Sequence, residues 1–222
     1  YSYNISMKNN LIINSIKEKI KNYNVVIYGT IRDIENDFLS SFINMEMIGD
    51  LFNNVYYIIF ENDSKDSTRD LLKKWKEDSD NKKIILMDGL DDYFPLRATR
   101  LAFCRNKILK YMRDNGLDKT YQYAIHCDLD NRFWSFDIDN ICQLFDNSQN
   151  TNWDMISVVS TGRSYYDFWA LRYQDSWFNK NIFSCANEGI EYETKIDTFE
   201  TILRNSEGLI QVESAFNGLA VY

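Results

Sequence analysis

One proline, Pro95, is all this 222-residue chain contains, and no repeat or low-complexity linker interrupts it. A chain of this length without such breaks suits one large domain, since cores split only beyond roughly 250 residues. No stretch of about 18 consecutive apolar residues occurs, which argues against a transmembrane segment. Basic residues are too few for a nucleic-acid polymer as partner. Lys and Arg number 25 against 33 Asp and Glu, a net charge of −8, whereas such binders carry a basic footprint. A nucleotide remains open, because its few charges need only a metal and one or two arginines. Cys104, Cys127, Cys142 and Cys185 form no CxxC pair, so a zinc site is not expected. Cys104 and Cys127 fall in expected core elements, where a free thiol acts as a small apolar residue, and a reducing, cytoplasmic setting is favoured. Walker and G-x-G-x-x-G loops are missing, as is a G-x-S-x-G elbow beside the single histidine, His126. Kinase-like, dinucleotide-binding and serine-hydrolase readings therefore fall away. Tyr1 replaces an initiator Met and no signal-peptide pattern follows, so the chain reads as part of something longer.

What is present is core material, with 45% hydrophobic and 15% aromatic residues. Asn24 to Thr30, Val55 to Phe60, Lys83 to Met87 and Tyr121 to Cys127 read as strands. Helices are expected from about Glu35 to Ile48, after Asp66 to Thr68, from about Leu96 to Asn115 and from about Asp137 to Asp146. A strand from about Asp154 to Ser160 follows, and Phe216 to Tyr222 reads as another. Asp66, Ser67 or Thr68 can cap the second helix, whose Leu71, Leu72 and Trp75 make one apolar face. Gly116 is a natural stop for the long third helix. This alternation implies a three-layer α/β/α sandwich with a mainly parallel central sheet. The half of about residues 24–135 is expected to hold a nucleotide, and the half of about 136–222, less regular and aromatic-rich after Ser160, suits an acceptor side built from loops.

Three constellations could carry chemistry. The fourth strand ends in Asp128-Leu129-Asp130, and ligands of parallel sheets gather beyond the strands' carboxyl ends. Two hard oxygen donors there suit Mg²⁺ or Mn²⁺ bridging to phosphate, or else form a solvated turn. The second strand ends in Glu61-Asn62-Asp63. Glu61 or Asp63 could accept hydrogen bonds from a base or ribose, whereas Asp66 reads as a helix cap. Arg97, Arg100 and Arg105 belong to the long helix. Arg97 opposes the helix dipole in the first turn, and Arg105 borders the apolar face. A diphosphate satisfies both, and for Arg105 an ion pair to an internal acid is the equal alternative.

In this order and spacing, Tyr28-Gly29-Thr30-Ile31-Arg32, Glu61-Asn62-Asp63-Ser64-x-Asp66-x-Thr68, Arg105-Asn106 and Asp128-Leu129-Asp130 resemble GT-A glycosyltransferases. The nearest resemblance is to the cryptococcal capsule-associated mannosyltransferase family and related giant-virus domains. Tyr166-Asp167-Phe168-Trp169-Ala170-Leu171-Arg172 and the ending Ser214 to Tyr222 are similar to that family too, so the likeness spans roughly residues 24 to 222. An Asn/Ile/Lys-heavy composition suits an AT-rich viral genome.

The resemblance implies a transferase using a nucleotide-sugar donor, UDP-linked by default, and a glycan or glycoprotein acceptor. It implies that Tyr28, Gly29, Thr30 and Arg32, with Glu61, Asn62 and Asp63, hold the nucleoside. Arg97 and Arg105 hold the diphosphate or brace the acids, Leu129 lies against the donor, and Asp128 and Asp130 bind the metal. Nothing after His126 can supply a C-terminal histidine ligand. Asp167 leads as catalytic base, ahead of Glu191 and Glu213, and an ion pair to Arg163 or Arg172 is its structural alternative. Trp169 faces a sugar or fills the core. Rival functions are a non-catalytic glycan- or protein-binding module on the same fold and a sugar nucleotidyltransferase.

Overall fold

Val25, Val26 and Ile27 form the kind of β-branched run that a sheet covered on both faces demands, and all three are fully buried in strand β1, Asn24–Ile31. The structure, a computed structural model, describes residues 12–130, 137–148, 152–158, 170–172, 209–216 and 218–222. Residues 12–20 are helical (α1). After β1 come α2 (Phe38–Gly49), β2 (Asn54–Asn62), α3 (Thr68–Lys76) and β3 (Lys82–Met87). Then follow α4 (Leu90–Tyr93), α5 (Arg97–Asp114), α6 (Leu117–Thr120), β4 (Tyr123–Cys127), α7 (Ile138–Ser148), β5 (Ile156–Ser157) and β6 (Leu219–Val221). The strands form a mixed, mostly parallel sheet in the order β3-β2-β1-β4-β6-β5. The α/β class and the parallel core are as expected from the sequence.

The chain divides into two compact units, residues 1–146 with 221–222, and residues 147–220. In the first unit β1 pairs in parallel with both β2 and β4, and β2 with β3. Tyr222 exchanges both backbone hydrogen bonds with Ala124, at 3.0 and 2.9 Å, as an antiparallel neighbour does.

Alternation along each strand decides what each face meets. Val26, Tyr28, Ile58 and Phe60 point to one side and bury against Cys104, Ile108 and Met112 of α5. Tyr57, one residue out of phase, meets Trp75 of α3 on the other side, and Phe42 of α2 meets the same ring. Tyr123 of β4 contacts Phe145 of α7. The parallel sheet is thus held between α5 and the α2, α3 and α7 group. Each fully buried large side chain contributes roughly 1.5–3 kcal/mol.

In the second unit Val158 donates to the Leu219 carbonyl, and Arg172 forms an antiparallel bridge with Ser214. Ser214 Oγ donates to the Ala170 carbonyl at 2.6 Å. Of the strand expected over residues 154–160, the described part, 154–158, is extended at Ile156–Ser157. Among the described residues no helix is long and apolar enough to cross a membrane.

Candidate functional site

The chain passes from β1 to β2 to β3 on one side, then crosses to place β4 on the other side of β1. Such a reversal opens a crevice at the carboxyl ends of the two diverging strands, and there parallel sheets take their ligands. Here those ends belong to β1 and β4, paired through Tyr28 and His126.

Gly29 allows the two ends to close up. A Cβ on it would stand 2.6 Å from the Cys127 carbonyl oxygen and 2.9 Å from Leu129 Cδ1. Leu129 is 1% exposed and acts as an anchor that leaves the acids on either side of it half-buried. Asp128 lies 3.6 Å from Arg105 Nη2 of α5, and Ser41 Oγ of α2 donates to the Asp130 backbone carbonyl at 3.4 Å. The acid-bearing turn is therefore tied to helices on both faces of the sheet. His126 stacks on Tyr28 with ring centroids 4.9 Å apart. Burial, then the Arg105 charge, brings its pKa down to about 3, so it is a neutral ring below the acids.

Beside this crevice the β1 and β2 loops are knitted together. Asp66 accepts the backbone N–H groups of Glu35 and Thr68, and Glu35 accepts that of Ser67. Thr68 Oγ1 accepts the Ile34 N–H, and Ser64 Oγ that of Asp33. Asp66 thus accepts the first amide of α3 from one residue before the N-cap, Ser67, whose own side chain makes no cap bond.

The residues expected at the nucleoside end are brought to this edge but are turned inward. Glu61 is fully buried, accepting from the Ser64 N–H at 2.8 Å and from Arg69, which also binds Asp88. Asn62 donates to Asp63 and lies 3.8 Å from Cys104 Sγ. Asp63 accepts from Gly89 and Leu90, tethering α4. Burial alone would raise its pKa, but these amides and Asn62 hold it below the usual carboxylate value. As they stand, Glu61 and Asp63 brace loops rather than present free acceptors. The cause is that β2 runs on through Asn62, in register with Met87, so Glu61 and Asn62 still alternate between the covered faces, while Asp63 turns out of the strand at φ +54°.

Arg32 grips Asp91 with both terminal nitrogens, at 2.7 and 2.6 Å. Arg100 binds the same carboxylate at 2.8 Å and the Phe94 carbonyl at 2.9 Å. Thr30 is half-buried, and Arg97 is exposed in the first turn of α5. Arg69, Asp88, Asp91 and Ser41 were not legible as participants, because no short spacing joins them to the motifs. Asp167, Trp169 and Glu191 lie outside the described residues; Glu213 is exposed and donates its N–H to the Arg172 carbonyl.

Asp128 and Asp130, the pair expected to hold a divalent ion, flank Leu129 and are both half-buried. Among the described residues no group of three or more His, Cys, Asp or Glu side chains could enclose one. Such a two-carboxylate set fits an ion that keeps waters and shares phosphate oxygens, as Mg²⁺ does. Compared with known proteins, the chain matches no family model and no curated sequence.

Proposed function

We propose that this chain is a metal-dependent glycosyltransferase of GT-A type. It moves a sugar from a nucleoside-diphosphate donor, UDP-linked by default, to a hydroxyl of a glycan or glycoprotein. The observation that carries the reading is the meeting of Asp128 and Arg105 at the carboxyl ends of β1 and β4, where strand order reverses. A carboxylate pair beside a guanidinium suits a leaving diphosphate, since charge develops on its oxygens as the sugar bond breaks. A divalent ion bound by Asp128 and Asp130 supplies neutralisation of that charge.

The chain's own residues divide the remaining work. Gly29 lets the backbone of β1 approach the acid-bearing turn, and Leu129 fixes that turn's depth. Arg105 orients Asp128 and adds positive charge beside the phosphates. Arg97, exposed in the first turn of α5, is left for the phosphates, whereas Arg32 is held by Asp91. Asp167 takes the acceptor hydroxyl's proton in an inverting reaction.

A non-catalytic glycan-binding module on the same fold is the second reading. The inward bonding of Glu61 and Asp63 favours it, because it leaves fewer groups to grip a nucleoside. Incubation with UDP-, GDP- and dTDP-sugars and Mn²⁺ separates the alternatives. Metal-dependent release of nucleoside diphosphate supports the transferase, release of pyrophosphate a nucleotidyltransferase, and no release the binding module. Asp128→Asn and Asp130→Asn should each abolish release while melting temperature stays nearly unchanged. Full activity of both variants, or in excess chelator, contradicts the proposal.

A further inference from the structure

At the opposite, amino edge of the parallel strands lies a cavity of about 500 Å³. That volume is within the range of small-molecule sites, roughly 300–1,000 Å³. We propose that this cavity binds a neutral carbohydrate. The inference stands on the cavity's own side chains and does not require the carboxyl edge to transfer sugar.

Four asparagines line it, one from the start of β1 and three from the segments entering β2 and β3. Asn24 Oδ1 accepts from Asn53 Nδ2 at 3.1 Å and from Asn54 Nδ2 at 2.9 Å, while Asn81 Nδ2 donates to the Val55 carbonyl at 3.1 Å. Each of the four amides takes part in at least one of these bonds. Asn24 Nδ2 and the Oδ1 atoms of Asn53, Asn54 and Asn81 have no partner among the described residues.

The floor adds a donor. Tyr57 is 6% exposed, and its hydroxyl sits so close to Gly49 that a Cβ there would stand 2.0 Å away. Both residues line the cavity. Burial, with Glu46 and Asp50 nearby, pushes the phenol pKa up, so the O–H stays protonated. No described residue hydrogen-bonds it, and the oxygen itself keeps contact with solvent, so the O–H is open to a guest in the cavity.

The lining selects the ligand class. No Lys or Arg lines the cavity and Asp50 is its one carboxylate, which disfavours an anion. An apolar guest would leave the amides without partners, at a desolvation cost. Sugar hydroxyls each donate and accept, so neighbouring hydroxyls match amide acceptors beside amide and phenol donors. Tyr121 at the rim offers a ring to a sugar's C–H face.

The test is a ¹⁵N–¹H NMR titration of the full chain, following side-chain amides. Probes are maltotriose, mannotriose and chitotriose at about 10 mM, against an affinity on the order of 1 mM. Inorganic phosphate and triglycine serve as controls. At least one sugar should shift the Asn24, Asn53 and Asn54 amides, and Tyr57→Phe should weaken binding about 10-fold, as loss of one buried hydrogen bond does. Should Tyr57→Phe unfold, Asn54→Ala at the exposed rim carries the same expectation. The proposal is overturned if no sugar moves these signals, if phosphate or triglycine moves them as strongly, or if the variant binds as tightly as the parent.

Discussion

Gly29 and Asp63 have effects out of proportion to their size, for different physical reasons. At Gly29 the obstacle to any side chain is backbone, the Cys127 carbonyl at 2.6 Å, which cannot swing aside. Gly29→Ala should cost about 1–3 kcal/mol, the usual penalty of overpacking, and should push the Asp128 end of β4 away from β1. A urea melt reads the first effect, and weakened Mn²⁺ and UDP binding reads the second. Asp63 sits at φ +54°, a conformation that Asn also tolerates, so Asp63→Asn tests charge without adding backbone strain. Its native carboxyl pKa is lowered, burial notwithstanding, by Asn62, Gly89 and Leu90. The resulting stability is fully present above the unfolded-state value and is lost as pH falls through the lower folded value. Asp63→Asn should therefore lose about 1–3 kcal/mol at neutral pH, and progressively less as pH falls from the ordinary Asp value through the lower folded one. A pH-independent difference between the two melts would contradict this account of Asp63.

At the scale of elements, the loop after β1 depends on the loop after β2. Asp66 satisfies one amide of its own helix and one in the preceding loop, so Asp66→Ala should cost about 0.5–2 kcal/mol, as lost caps do. It should also speed exchange at the Glu35 amide, which lies outside that helix. This coupling explains what was hidden from a linear reading. The helix expected to begin at Glu35 begins at Phe38, because Glu35 is held by Asp66 and Ser67 about thirty residues later in the chain. Strands β1, β2 and β4 and the long helix α5 were legible because their apolar patterns are local and strong. The four-residue helices α4 and α6 were not; each follows a left-handed glycine, Gly89 or Gly116, which reads equally well as a plain turn. Glu61 was legible as a strand-end acid, but not its burial. Its partner Arg69 lies in the next helix, and only the parity of β2 turns one toward the other.

Over the whole molecule, most of the described core lies in the first unit, where its centre is the sheet rather than any one helix. Val25, Val26, Ile27, Ile58 and Ile59 are all 0% exposed in strands hydrogen-bonded on both sides. Their amides should exchange only through global opening, with α4 and the loops around it far faster; slow exchange confined to α5 would contradict that order. This rigid sheet is what gives the acids at its carboxyl edge a defined place, and it separates them from the amide-lined cavity at the other edge. Under the proposed function, Asp128 and Asp130 hold a divalent ion together with a nucleoside diphosphate. Electron paramagnetic resonance of free Mn²⁺ tests it most directly, because bound ion leaves the free signal. One Mn²⁺ per chain should be taken up in the presence of UDP, with little uptake in its absence and none by Asp128→Asn. Equal uptake by parent and variant, or no UDP-dependent uptake by the parent, would contradict the account.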